Sequence, residues 1–192
     1  FIDIDVGQNS ISIPGTIAAV RVTEPVSIEE GFVAHAPLLL NYGSTSPSYN
    51  IALYKKLLSR MAEYFTYSAK KNQDIASSGL IMNTCGWVED EGFDILVHAI
   101  RAFNISIVYV LGSDRLVSQL NSSLKDILKL VVIKKLEKSG GVVGRSKPYR
   151  AILRNNSFKQ YFYGKGKCKL SPHQVNISFD DVDFVKIGGI KS

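Results

Sequence analysis

Two hydrophobic periods alternate along the middle of the chain, and this alternation constrains the fold more than any other feature. The runs "APLLLNYG", "GLIMNTCGW", "ISIVYVLGS" and "ILKLVVIKK" are short and apolar, as strands are. Between them lie stretches of helical period. Ile51 to Lys71 carries Ile51, Tyr54, Leu58, Met61 and Phe65 at spacings of three and four, the stripe of a helix with one face in a core. "EDEGFDILVHAIRAF" repeats the pattern with Phe93, Leu96, Val97, Ile100 and Phe103, and its acidic start suits a helix amino terminus. "DRLVSQLNSSL" reads as a third helix. Strands that alternate with helices need crossover connections, so the expected class is α/β, a mostly parallel sheet flanked by helices. "APLLLNYG" is expected to be a buried strand, and "ISIVYVLGS" one with both faces covered.

In such a sheet the carboxyl ends of the strands share one edge, and ligands bind there. The opening "FIDIDVGQ" is a strand in which Asp3 and Asp5 alternate with apolar residues, before Val6-Gly7-Gln8 turns the chain. Asp5-x-x-Gln8 sets a carboxylate and an amide at the strand end, suited to a hydrated magnesium ion or to orienting a nucleophile. A capped strand end would use the same residues. On the same edge, "NTCGW" closes a second strand with the only tryptophan of the chain. Trp87 is either a hydrophobic plug or a stacking surface for a base, and Gly86 lets the backbone approach a ligand closely.

The net charge of +6 is unevenly placed: residues 125–169 hold thirteen Lys and Arg against two acidic residues. That local excess suits a polyanion or nucleotide phosphates, or else a solvated basic face. Within it, "EKSGGVVGRSKPYR" is a hinge-like linker entering a short helix around Arg150 to Gln160. Arg145, Arg150 and Arg154 are suited to phosphate oxygens, and Arg150 and Arg154 share a helix face. Beyond "YFYG", the segments "KCKL", "QVNISF" and "FVKIG" are strand candidates, so residues 161–192 are expected to begin a β-rich unit after a first domain of residues 1–160. Cys85 and Cys168 have no metal-ligand spacing, and free thiols in a reducing, intracellular compartment are expected. No apolar run has the length of a membrane span, nothing resembles a signal peptide, and there is no G-x-x-x-x-G-K-S/T motif.

Taken in order, "DVGQNSISIPGTIAA", "EEGF", "APLLLNYGSTSPSYN", "NTCGWVEDEGFDILVHAIRAF", "SGGVVGRSK" and "YFYG" resemble the eukaryotic polyribonucleotide 5'-hydroxyl kinase family. That family includes the kinase subunit of the pre-mRNA cleavage and polyadenylation factor, linked also to the tRNA splicing endonuclease. The resemblance implies a P-loop fold in which "FIDID" is the Walker B strand, with the P-loop itself upstream of the residues given. It implies ATP and Mg2+ as cofactors, RNA with a 5'-hydroxyl end as substrate, other cleavage-factor or tRNA-splicing subunits as partners, no membrane, and a nuclear location. By residue, it implies Asp5 as the carboxylate that activates the RNA hydroxyl and holds magnesium through water, with Gln8 its neighbour. Ser44, Thr45 and Asn50 match a polar clasp on the substrate end, Trp87 a stacking residue, and Arg145, Arg150 and Arg154 a lid. Some members bind ATP as inactive scaffolds after losing clasp or lid residues; this sequence keeps them, which favours an active enzyme.

Overall fold

The computed structural model describes residues 1–28, 31–32, 36–127, 129–166 and 168–185. A four-stranded sheet has the order β3-β2-β1-β4, with β1 Ile2–Asp3, β2 Thr16–Ala19, β3 Leu38–Asn41 and β4 Met82–Asn83. β1 runs parallel to β4, with Asp3 opposite Asn83, and antiparallel to β2, which pairs antiparallel with β3. A second, parallel pair joins β5 Ile107–Leu111 to β6 Val132–Leu136. Helices α1 Ile51–Lys71, α3 Glu91–Ala102 and α4 Asp114–Ser123 fall where their periodicity predicts them. The class is α/β with parallel strands and helices, as the alternation of periods requires.

α1 buries Tyr54, Leu58, Met61 and Ala62 against Ile2, Ile4, Val6 and Ile17 of the sheet. α3 serves two cores at once. Ile95, Ala99 and Phe103 join the α1 cluster, while Ile100 joins Val110, Leu116, Leu120 and Leu124 under β5 and α4, with Phe93, Leu96 and Val97 packed beside it. The single stripe read from the sequence therefore omits Ile95 and Ala99, because a helix wedged between two clusters buries more than one face.

Several expectations need correction. β3 is an edge strand with Leu38 and Leu39 more than a third exposed, since among the described residues it pairs with β2 alone. Among the described residues β5 is covered on one face: Ile107, Tyr109 and Leu111 are 44%, 56% and 60% exposed, and an apolar run records the capacity for burial, not the presence of a cover. Asp3, read as the polar side of an alternating strand, is fully buried. The short helix is α5, which spans Lys147–Tyr163 and is capped by the Ser146 hydroxyl accepting from Tyr149 N–H at 3.3 Å. A β7–β8 hairpin follows, Gly164–Lys165 with Cys168–Lys169, but residues 174–179 join no ladder because no partner strand lies beside them among the described residues. "EEGF" and "FVKIG" fall partly outside the described residues. A short helix that the pattern missed, α2 Gln73–Ser78, is bounded by an Asn72 cap and by Gly79 at φ +69°. No described helix is long and apolar enough to cross a membrane.

Candidate functional site

The parallel register brings the ends of β1 and β4 side by side, and a buried carboxylate ties them together. Asp3 Oδ1 accepts from Asn83 Nδ2 at 3.1 Å and from Asp5 N–H at 2.9 Å, while Oδ2 accepts from the Ser10 amide at 2.8 Å and the Ser10 hydroxyl at 2.5 Å. Asn9, also buried, laces the next turn, accepting from the Ile11 and Ser12 amides and donating to Thr16 carbonyl. The Tyr54 hydroxyl, carried by α1, donates to the Ile4 carbonyl. The residue before Asp5 and the residue after the turn are thus both anchored, the first by the Tyr54 hydroxyl and the second through its own amide side chain.

Asp5 itself is half-buried, with Oδ1 accepting from Gly7 N–H at 2.8 Å and Gln8 N–H at 3.1 Å. No hydrogen bond to Oδ2 occurs among the described residues. Gly7 has no room for a side chain: a Cβ there would sit 3.0 Å from the Thr45 carbonyl oxygen and 3.2 Å from Asp5 Oδ1. That close approach sets the Ser44–Asn50 loop against the turn. The loop is held from below by Tyr42, whose hydroxyl donates to Pro47 carbonyl and accepts from Asn50 N–H, both at 2.8 Å. Of the expected clasp, Thr45 is exposed, Ser44 Oγ accepts the Ser46 amide at 3.3 Å, and Asn50 Oδ1 accepts from Leu53 N–H as the cap of α1.

Across from the turn stands α5. Gln8 Nε2 donates to the Arg150 carbonyl at 3.4 Å, and Arg150 Nη1 reaches the Arg145 carbonyl at 3.2 Å. Between them a cleft of about 300 Å³ is lined by Gly7, Gln8 and Asn9 on one side and by Leu153, Arg154 and Gln160 on the other. This packing brings Gln8 and Arg154 into one cleft lining and Gln8 to the backbone of Arg150; Asp5, Trp87, Arg145, Arg150 and the Ser44–Asn50 loop lie outside that lining. Trp87 is half-buried on the α1 core, its ring so close to Gly92 that a Cβ there would be 2.7 Å from it. Cys85 sits near Asp5, and burial, reinforced by that carboxylate's charge, pushes its thiol up. Burial, with Cys85, Asp5 and Asp3 nearby, raises the Tyr54 hydroxyl far more.

No group of three potential ligands occurs among the described residues, so no cage of side chains is present. One carboxylate oxygen without a partner fits magnesium nevertheless, because that ion is usually held by one or two carboxylates, waters and substrate phosphates. Arg150 and Arg154 fit phosphate oxygens by the same criterion of charge and fork geometry.

Residues 1–164 match the family model for the mRNA cleavage and polyadenylation factor CLP1 P-loop. The chain is 43% identical over 188 residues to the polyribonucleotide 5'-hydroxyl-kinase Clp1 of Bos taurus and equally to that of Homo sapiens. It is 44% identical to the CLP1 homolog of Culex quinquefasciatus. These matches cover 98% of the chain but only 43–44% of the relatives, so the chain spans less than half of their length. A solved complex of wild-type Clp1p with Pcf11p matches in fold with a TM-score of 0.78 at 22% identity, covering 94% of this chain and 46% of that one. A second Clp1p–Pcf11p structure, concerned with ATP loss in a point mutant, matches equally well at 24% identity. With the family model spanning all but the last part of the sequence, the chain belongs to the mRNA cleavage and polyadenylation factor CLP1 P-loop family.

Proposed function

We propose that these residues form the acceptor side of an ATP-dependent polyribonucleotide 5'-hydroxyl kinase. The observation that carries the reading is Asp5: one carboxylate oxygen is fixed by two turn amides, the other has no hydrogen-bond partner among the described residues, and an arginine-bearing helix stands across the cleft lined by its turn. Asp5 would accept the proton of the RNA 5'-hydroxyl as its oxygen attacks, and would help hold magnesium through water. Bound ATP would supply the γ-phosphoryl group, with ADP leaving. Arg150 and Arg154 neutralise charge on the phosphoryl oxygens during transfer, and Gln8 orients the turn toward α5. Ser44 and Thr45 hold the substrate end, and Trp87 offers the exposed part of its ring to the terminal base.

The relatives' names support the kinase reading, and the Clp1p–Pcf11p complexes support a place among subunits of the pre-mRNA 3'-end cleavage and polyadenylation machinery. A role in tRNA splicing and a nuclear location belong to the same proposal. The test is transfer of labelled γ-phosphate from ATP to a single-stranded 5'-hydroxyl RNA by the full-length protein, beside Asp5→Asn. Transfer by the parent that is lost in the variant, with ATP binding kept, is expected. ATP binding without transfer by the parent would instead assign the protein to an inactive, ATP-bound scaffold of the cleavage factor.

A further inference from the structure

A second opening, about 510 Å³, lies between α5 and the β7–β8 hairpin and is lined by Lys159, Tyr163, Lys165 and Lys169 among others. It shares Asn156 and Gln160 with the cleft beside the Asp5 turn, so the two run into one another along α5. We infer that this continuous groove is a track for the RNA strand that follows the accepting 5'-hydroxyl, an inference that rests on the kinase reading of the site.

Three observations carry it. The first is charge: Arg154 lines the near half and Lys159 and Lys169 the far half, while among the described residues no carboxylate lines either. A phosphate backbone is the polyanion such a surface complements. The second is the character of α5. Its stripe toward the turn is Leu153, Arg154, Ser157 and Gln160, and none of its seventeen residues is buried. A helix that closes a core shows an apolar stripe there; this one keeps a polar stripe open to solvent and to a ligand of matching charge. The third is the chemistry along the groove. The amides of Asn156 and Gln160 both donate and accept, as ribose hydroxyls require, and the 53%-exposed ring of Tyr163 at the far end offers a face for a base.

The experiment uses the full-length protein, the double variant Lys159→Ala/Lys169→Ala, and Lys70→Ala on the exposed end of α1 as a charge control. Binding of a short, 3'-labelled, single-stranded 5'-hydroxyl RNA is followed by fluorescence anisotropy at about 50 and 200 mM salt, and phosphate transfer is assayed in parallel. Each phosphate contact on a single strand contributes about 0.7 to the salt slope, so loss of two contacts leaves the parent losing about sevenfold more affinity than the double variant over that range. The Lys70 variant should follow the parent. A double variant with the parent's salt slope overturns the track, whether or not transfer occurs. A changed slope with no transfer by the parent upholds the track and overturns the kinase reading. Displacement of the RNA by an acidic peptide as readily as by unlabelled RNA of equal charge would overturn the assignment to nucleic acid.

Discussion

Asp3 and Asp5 are two residues apart, yet the structure gives them opposite consequences on substitution. Asp3→Asn keeps an oxygen for the Asp5 and Asn83 donors but turns an amide NH2 toward the Ser10 amide, which now donates to Oδ2 at 2.8 Å. The Ser10 hydroxyl can rotate to accept; the Ser10 N–H cannot. One hydrogen bond to a charged acceptor is lost and its donor is left facing another donor, a cost of about 2–4 kcal/mol. For a domain of this size that lowers the melting temperature by about 5–15 °C. In Asp5→Asn the Oδ1 bonds to Gly7 and Gln8 survive in neutral form, so the stability loss is expected to be about 1 kcal/mol or less. Phosphate transfer, in contrast, should fall by about 10² to 10⁴ if Asp5 is the general base. Thermal unfolding by circular dichroism and a phosphate-transfer assay on both variants read the two axes separately. An Asp3→Asn protein that melts with the parent, or an Asp5→Asn protein that melts as low as Asp3→Asn, would refute this division between scaffold and chemistry.

Two further outcomes follow from the same packing. Gly92→Ala places a Cβ 2.5 Å from the Trp87 carbonyl and 2.7 Å from its ring, so the tryptophan must shift; about 1–3 kcal/mol of stability should go, with a change in tryptophan emission that an unmoved ring would not show. Stability should also decline at alkaline pH. The Cys85 thiol and Tyr54 hydroxyl are raised in the folded chain above their ordinary values of 9.0 and 10.0, so the unfolded chain loses those protons first. Their contribution is complete below about pH 9 and disappears as pH rises further. Melting scans of the parent and Cys85→Ala across that range check this, the variant being expected to show the shallower alkaline decline.

Much of the architecture was legible because it is written in periods. The stripe on α1 and the apolar runs of β5 and β6 follow from spacing alone, since a helix returns to the same face every three or four residues whatever surrounds it. The strand-end logic was legible too: parallel pairing of β1 with β4 puts the Asp5 turn and the "NTCGW" turn on one edge. Burial was not legible in the same way. Whether Leu38–Asn41 lies at the centre or edge of a sheet, and whether the outer face of β5 is covered, depends on which neighbours arrive, and no local pattern encodes that.

The site divides along the same line. Residue types at spacings, Asp5-x-x-Gln8 and Arg150-x-x-x-Arg154, were enough to nominate a carboxylate and a pair of arginine forks for phosphate chemistry. Only the tertiary structure decided that Asp3 anchors both strand ends, that Tyr42 props the Ser44–Asn50 loop, and that Gln8 reaches the backbone of Arg150 across 142 residues of sequence. The reason is physical: propensity and periodicity are properties of neighbours in the chain, whereas a buried hydrogen bond is made between groups that folding alone brings within 3 Å or so of each other.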